Sequence, residues 1–182
     1  MNRYKIGIFG GIIASLNHLI IVILTTSLFN LLRNLDKLSS TLILQTAVNS
    51  LLLILLFLLT LFGHILFYLG IIKFSEDFDT SRSIKTAGVM GIIGSVLMPI
   101  LIGFAIEGLA LLILSTSVYT LISTNKEFKN RINKRTHSLI KIACVLGAIA
   151  GLAKMSIFGS IIGAPISIFF YLSMCFVFYE LR

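Results

Sequence analysis

Residues 86–124 form an apolar run of 39 residues, TAGVMGIIGSVLMPILIGFAIEGLALLILSTSVYTLIST, which contains one proline and one charge, Glu107. As one straight helix this run is about 58 Å long, against a bilayer hydrocarbon core of about 30 Å. A glutamate is costly at the bilayer centre and costs little at the interface. Because glycines flank Glu107 near the middle of the run, we expect a turn there and two crossings, at residues 84–101 and 106–123.

The composition excludes an ordinary soluble domain. Of 182 residues, 57% are hydrophobic and 12% are charged, and the mean hydropathy is +1.04. Such a chain has too few polar residues to cover the surface of a soluble protein, and long runs without charges are typical of membrane helices. The length fits a single transmembrane helical domain over residues 1–182.

A second long apolar run lies near the C-terminus. Residues 136–179 are too many for one crossing and carry Lys154 inside the run. We expect this run to cross twice, with the Lys154 side chain extending to the interface. With two earlier apolar runs, this predicts an all-α polytopic membrane protein of six transmembrane helices arranged as three hairpins. The four further crossings are residues 6–31, 42–72, 138–156 and 160–179.

The positive charges decide between six crossings and four. Cytoplasmic segments of membrane proteins carry the excess of lysine and arginine. With six crossings and the N-terminus inside, 12 basic residues fall inside and 3, Arg33, Lys37 and Lys154, fall outside. With four crossings the excess reverses, to 6 inside and 8 outside. We therefore expect a multi-pass protein of the cell membrane with both termini in the cytoplasm.

Small residues recur every four positions on the first helix of each predicted hairpin. This spacing lets membrane helices approach closely, because small side chains keep the backbones near each other. The pattern suggests a threefold repeat of helix pairs, or it reflects the general frequency of glycine in membrane helices. The three seams are Gly7, Gly11 and Ser15; Ala87, Gly91 and Ser95; and Ala143, Gly147 and Gly151.

Two histidines within predicted crossings, His18 and His64, define with Glu107 a possible intramembrane polar site. One interpretation is a histidine that forms a hydrogen bond across a helix pair. The other is a haem held by both rings, since haem iron takes axial histidine ligands. Helical rise places His18 about 18 Å and His64 about 12 Å from the inner helix ends, and this mismatch disfavours haem. We predict no cofactor.

Glu107 and Lys154 each have two interpretations. An ionisable group within a membrane segment often marks an ion or proton path. The interpretation that we favour places both residues in turns at the outer interface. An ion pair between them would contribute little there.

A basic segment follows the fourth predicted helix. It fits contact with anionic lipid headgroups, and no aromatic or fold motif indicates nucleic acid. Phe128 and Ile132, one turn apart in this segment, are expected to enter the membrane surface. The basic residues are Lys126, Lys129, Arg131, Lys134 and Arg135.

Motifs for catalysis or metal binding do not occur in the sequence. Glu76, Asp77 and Asp79 lack the spacing and the glycine of a calcium-binding loop. Cys144 and Cys175 both fall in apolar segments and do not indicate a disulfide framework. We predict no catalytic and no metal site, and an enzyme is the class with the least support.

A local resemblance covers residues 63–94. The segment LGIIKFSE at residues 69–76 is followed by Ile84-Lys85 and by the glycine-rich GVMGIIG at residues 88–94. This succession resembles uncharacterised multi-spanning archaeal membrane proteins. The resemblance implies a membrane fold and no particular activity or ligand.

Two functional classes follow from these features. Small-residue seams, few intramembrane charges and the missing site chemistry favour a non-catalytic accessory or packing subunit of a membrane assembly. Its partners would be the lipid bilayer and other membrane subunits or further copies of the chain. The alternative is a small transporter or channel for an ion or small solute. Broken helices and inward-facing polar residues mark such pathways. The candidates are Pro99 and Gly103 for a break, and Ser15, His18, Thr60 and His64 for the polar residues.

Overall fold

Seven α-helices make up the part of the chain that the structure describes, and no strand occurs within it. The structure is a computed structural model, and it describes residues 3–32, 40–78, 82–98 and 102–182. The predicted all-helical fold is therefore confirmed. The helices are α1 (Arg3–Leu32), α2 (Ser40–Asp77), α3 (Arg82–Leu97), α4 (Ile102–Thr124), α5 (Lys126–Arg131), α6 (Lys134–Lys154) and α7 (Ile157–Glu180).

The long apolar run at residues 86–124 is divided between α3 and α4, but the break lies earlier than predicted. α3 ends at Leu97 instead of residue 101, and α4 begins at Ile102 instead of residue 106. Helices end at or before the residue that precedes a proline. Pro99, which itself lies outside the described residues, explains the early end. Glu107 therefore lies in the second turn of α4, and the prediction that it occupies an interhelical turn is wrong.

Asparagine caps set the starts of two helices. The Asn125 side chain accepts a hydrogen bond from Phe128 N–H at 2.9 Å, which begins α5. Likewise, Asn133 accepts from Thr136 N–H at 2.8 Å and begins α6. An N-cap asparagine satisfies a backbone donor that the helix itself leaves unpaired. α6 thus starts at Lys134, four residues before the predicted start, and α5 forms the first part of the basic segment.

α2 continues five residues past its predicted end at residue 72. Phe74 is fully buried there and Phe78 is 2% exposed, and both rings pack against the Phe128 ring of α5. Burial of this aromatic group stabilises the last turns of the helix beyond the apolar run.

Six of the described helices form a ring in the order α1, α2, α3, α4, α6, α7 and back to α1, and we call it the helix ring. Close approaches at glycines show that α1 and α2 run antiparallel. A Cβ on Gly63 would lie 2.8 Å from Ala14 N, and one on Gly7 would lie 3.0 Å from Gly70 Cα. Residues early in α1 thus face residues late in α2. The same relationship holds between every pair of neighbours around the ring.

All nine residues of the predicted seams are buried, and the glycines among them contact a helix of the neighbouring hairpin. The α1 seam faces α7, where a Cβ on Gly11 would meet Cys175 Sγ. The α3 seam faces α2 through Gly91, and the α6 seam faces α4 through Gly151. Seam glycines of each first helix therefore lie against the second helix of the hairpin before it, and Gly7 also approaches Gly70 of α2. The α1–α7 contact closes the helix ring by the same rule.

The outer surface of the helix ring is apolar, with large hydrophobic side chains exposed along every one of its helices. Four helical segments of the described residues are long and apolar enough to cross a membrane, judged by length and composition. A shorter apolar segment, Tyr4–Ile20, belongs to α1. The chain is therefore described as a helical membrane protein. The four segments are Ala47–Asp77, Ile102–Thr124, Lys134–Lys154 and Ile162–Glu180.

Candidate functional site

A buried ion pair joins α4 to α6 inside the helix ring. Lys154 Nζ lies 2.9 Å from each carboxylate oxygen of Glu107, and the two side chains are 2% and 0% exposed. The expected exposed position of Lys154 at the interface is therefore wrong. Side chains of an α-helix lean towards its N-terminus, so Lys154, the last residue of α6, leans back into the bundle. The two residues do pair, but in a buried environment and not in turns at a surface.

Two tyrosine hydroxyls complete the surroundings of the Glu107 carboxylate. Tyr171 of α7 donates to Glu107 Oε1 at 2.7 Å. Tyr68 of α2 lies 3.5 Å from the same oxygen, at the limit of a hydrogen bond. Both tyrosines are fully buried. A buried charge is tolerated only when it is paired and hydrogen-bonded, and Glu107 meets both conditions.

A pair of histidine rings lies beside this ion pair. The ring centroids of His18 and His64 are 4.9 Å apart, and the His64 centroid lies 5.3 Å from that of Tyr171. The depths predicted from helical rise are thus wrong, because side-chain direction and helix tilt bring the rings into contact. A porphyrin between the two rings would have to push α1 and α2 apart, so the arrangement does not fit a haem held by both histidines.

The two histidines differ in their hydrogen bonds. His18 Nδ1 lies 2.8 Å from the Ala14 carbonyl oxygen, one turn earlier in α1. A carbonyl only accepts, so Nδ1 carries a hydrogen, and Nε2 of the neutral ring is an acceptor. His64 is fully buried, and neither of its ring nitrogens has a partner among the described residues. Buried polar atoms without partners are uncommon and costly, and they indicate a place for water, an ion or a ligand group.

We call the group formed by these six side chains the core cluster. It joins α1, α2, α4, α6 and α7 at one level of the helix ring. Chemically it offers a neutralised carboxylate–ammonium pair, two hydroxyls that can relay a proton, and two imidazoles that can bind or release one. Its members are His18, His64, Tyr68, Glu107, Lys154 and Tyr171.

The structure brings together the three residues of the predicted intramembrane polar site, His18, His64 and Glu107. Sequence reasoning missed Tyr68 and Tyr171. For Tyr68 a signal existed, because it lies four residues after His64 and so shares a helix face with it. For Tyr171 no signal existed, since a tyrosine in an apolar segment is ordinary.

Three or more histidine, cysteine or acidic side chains do not meet as a possible metal site anywhere in the described ranges. Cys144 and Cys175 are both free and buried. The core cluster contains a single carboxylate, Glu107, and its lysine is already paired with that carboxylate. The chemistry that it offers is therefore proton handling and hydrogen bonding.

The predicted lipid-contact residues gather at the end of the helix ring that carries both chain ends, which we call the basic end. Lys129 Nζ donates to the Ser123 carbonyl at 2.8 Å, and Arg131 pairs with Glu127 at 2.6 Å. These two basic side chains are exposed, as are those of Lys126, Lys134 and Arg135.

The predicted insertion of Phe128 and Ile132 into the membrane surface is wrong. Phe128 is fully buried and Ile132 is 6% exposed. The Phe128 ring packs edge-on against Phe78 with a centroid distance of 5.2 Å. α5 therefore covers the end of α2 within the protein and does not lie in the lipid.

No protein-family model, curated protein or solved structure matches this sequence. The resemblance of residues 63–94 to archaeal membrane proteins stays a prediction. The candidate site is therefore defined by the geometry of the core cluster alone.

Proposed function

We propose that this protein is a small membrane transporter or channel whose pathway passes through the core cluster, and that the proton is the ion it handles. The observation that carries the proposal is His64, fully buried with both ring nitrogens unpartnered among the described residues. Ionisable residues that face the interior of a membrane bundle commonly mark ion and proton pathways.

A purely structural role accounts for only part of the core cluster. The Glu107–Lys154 pair holds α4 against α6, and Tyr171 supports it from α7. None of these contacts uses a nitrogen of His64. An apolar side chain would fill the same space without leaving two polar atoms unpaired, so the presence of the imidazole is best explained by its chemistry.

The neighbours of His64 supply a short relay for a proton. The His18 ring lies against it on one side, and the Tyr68 and Tyr171 rings lie within 6.4 Å and 5.3 Å of its centroid. Both tyrosine hydroxyls reach Glu107 Oε1. A proton bound at His64 would lie next to the two tyrosines whose hydroxyls contact Glu107, and a water at His64 would complete the hydrogen-bonded path. The positive charge of that proton would weaken the hold of Glu107 on Lys154 through competition for the carboxylate.

Proton flux into liposomes tests this proposal. Purified protein is reconstituted into vesicles that enclose a pH-sensitive dye, and acidification is followed under an imposed membrane potential. We expect the unaltered protein to conduct protons and His64→Leu to lose the flux. The same substitution removes two unsatisfied buried atoms, so we expect its thermal stability to be kept or increased.

The matched control is His137→Leu, which replaces a histidine near the start of α6 at the basic end. It should leave proton flux unchanged. Unaltered protein that passes no protons, or a His64→Leu variant that conducts normally, would overturn the proposal. Loss of flux together with loss of stability would instead assign His64 a packing role.

The proposed topology has six crossings with both termini in the cytoplasm. It is supported by the antiparallel order of all neighbours in the helix ring, which returns the chain to the basic end after each hairpin. The excess of lysine and arginine belongs on the cytoplasmic side. Of the three basic residues assigned outside, Arg33 and Lys37 lie outside the described residues. Lys154 is neutralised by Glu107.

The accessory-subunit class stays a second candidate because of one specific surface. The first half of α2 exposes an apolar face, with Leu51, Leu55 and Leu58 between 52% and 61% exposed. α2 is about 57 Å long, well beyond the roughly 30 Å of hydrocarbon, so lipid alone does not cover all of it. We infer that another membrane subunit or a second copy packs there.

Light scattering of the detergent-solubilised protein tests this second candidate. A complex or oligomer that is lost in a Leu51→Ser/Leu55→Ser variant supports it. Ile142→Ser, an equally exposed site on α6, is the control. A lone monomer at every concentration contradicts it.

A further inference from the structure

A groove of about 670 Å³ runs along the outside of the helix ring at the basic end, over α7 and between α1 and α6. Its walls are formed mainly by exposed apolar side chains, which include Ile12, Leu139, Leu172 and Phe176. Its volume lies within the range of about 300–1,000 Å³ that is typical of ligand sites. Because exposed large hydrophobic side chains surround it on α1, α6 and α7, we place the groove against lipid and not water.

The polarity of the groove changes along the bundle axis. Its polar lining, Asn133, Arg135, Thr136 and Glu180, lies at the basic end. Further from that end only apolar residues and Cys175 line it. From Glu180 to Leu172 is eight residues, or about 12 Å of helical rise. One leaflet contributes about 15 Å of hydrocarbon, so the apolar part fits one acyl chain standing along the axis.

At the polar end of the groove, the charge that a ligand can reach is positive. Glu180 is engaged, since it accepts from Asn133 N–H at 2.8 Å and from the Thr136 hydroxyl at 2.7 Å. Arg135 is exposed, and its guanidinium has no hydrogen-bond or ion-pair partner among residues 3–32, 40–78, 82–98 and 102–182.

We propose that the groove binds one acyl chain of an anionic phospholipid from the leaflet at the basic end, with the lipid phosphate on Arg135. Arginine suits this role because its fork of donors matches the geometry of phosphate oxygens. A neutral phospholipid would fill the apolar part equally well, but its phosphate carries a compensating amine. Selectivity for the anionic headgroup is therefore the property that distinguishes this site from the general lipid surface. The proposal does not depend on proton transport.

The absence of tryptophan from the sequence allows a direct test. Phe176→Trp places a single tryptophan on the groove wall, and Phe169→Trp places one on the same face of α7 two turns away, outside the groove. Each full-length variant is reconstituted in mixtures of phosphatidylglycerol and phosphatidylcholine. Brominated chains on one lipid or the other then report, by quenching, which lipid lies against the tryptophan.

We expect phosphatidylglycerol to be enriched about fivefold over phosphatidylcholine beside the tryptophan at 176, because one arginine at the membrane surface attracts an anionic headgroup. The tryptophan at 169 should show no preference. Adding Arg135→Gln should abolish the preference at 176. Lys126→Gln removes an exposed charge from the same end but outside the groove, and should preserve it.

Several outcomes would overturn the proposal. Equal quenching by both lipids at 176 would mean ordinary lipid contact. If Arg135→Gln and Lys126→Gln lower the preference for phosphatidylglycerol equally, the anionic lipid is attracted diffusely to the basic end and not bound in the groove. If neither brominated lipid quenches the tryptophan at 176, then protein, for example a second copy, covers the groove. Because Arg135 is exposed, its substitution should leave the fold intact, and unchanged thermal unfolding would verify this.

Discussion

Lys154 Nζ lies 2.9 Å from both carboxylate oxygens of Glu107, although 47 residues separate them in the sequence. The pair forms beside a close approach of α4 and α6. A Cβ on Gly151 would lie 2.6 Å from the Gly108 carbonyl oxygen, so only glycine lets the two backbones come this near. The small-residue seam thus determines the geometry of the buried charges, because Gly108 follows Glu107 and Gly151 lies one turn before Lys154.

Replacing one member of the ion pair should destabilise the protein far more than replacing both members. Glu107→Gln or Lys154→Met alone leaves one buried charge unpaired, and we expect each to lower the free energy of unfolding by about 3–5 kcal/mol. The double variant should recover most of that loss, because two neutral groups leave no buried charge. Chemical or thermal unfolding in detergent measures the effect.

The control for this prediction is the exposed pair of Arg131 and Glu127, whose side chains are 49% and 62% exposed. Glu127→Gln should change stability by only about 0–1 kcal/mol. If the double variant at 107 and 154 is as unstable as the single ones, the pair is not the source of the loss.

Gly151→Ala should destabilise the protein even though alanine is the better helix former. The added methyl would meet two backbone atoms, the Gly108 carbonyl oxygen and Leu112 N at 2.8 Å, so α4 and α6 must separate. Overpacking of this kind costs about 1–3 kcal/mol. Leu152→Ala, at a position 59% exposed to lipid, should cost little. A stability gain in Gly151→Ala would contradict the close seam, since propensity alone favours alanine.

The sequence predicted the helical membrane fold because long apolar runs of helix-forming residues are visible without any tertiary information. Ionisable groups in a membrane segment commonly face the bundle interior, so His18, His64 and Glu107 were named as a possible polar site. Their contact was not predicted, because helical rise placed the histidines at different depths and the favoured position of Glu107 was at the outer interface. The position of the break in the central run was wrong because Glu107 was assumed to need water. A buried partner removes that need, and the side-chain direction of Lys154 depends on where α6 ends.

Other features could not be predicted from local patterns. The closure of the helix ring between α1 and α7 depends on which surfaces meet after all hairpins have formed. Tyr171 enters the core cluster only through that closure. By contrast, the start of α6 was available in the sequence, because Asn133 three residues before Thr136 fits an N-cap.

Tyr171→Phe should lower stability by removing one hydrogen bond to a charged group. The hydroxyl donates to Glu107 Oε1 at 2.7 Å, and such a bond contributes about 1.5–3 kcal/mol. Tyr119→Phe, at a position 44% exposed, is the control and should change little. Under the proposed function, Tyr171→Phe should also slow proton flux in liposomes, because it removes the hydroxyl nearest to the carboxylate. A variant as stable as the unaltered protein would mean that the hydroxyl does not support Glu107.

Cysteine labelling should place the two ends of the helix ring on opposite sides of the membrane. Asn130 in α5 and Ser156 in the turn between α6 and α7 are both exposed, and they lie at opposite ends of α6. In a background where the buried Cys144 and Cys175 are replaced by alanine, an impermeant thiol reagent on intact cells should label Ser156→Cys and spare Asn130→Cys. Both should react after lysis.

The expected sidedness follows from the basic end, whose lysines and arginines are retained in the cytoplasm. Labelling of Asn130→Cys alone would invert the topology. Labelling of both positions in intact cells would mean that α6 does not cross the membrane, and the core cluster would then not lie between two aqueous compartments.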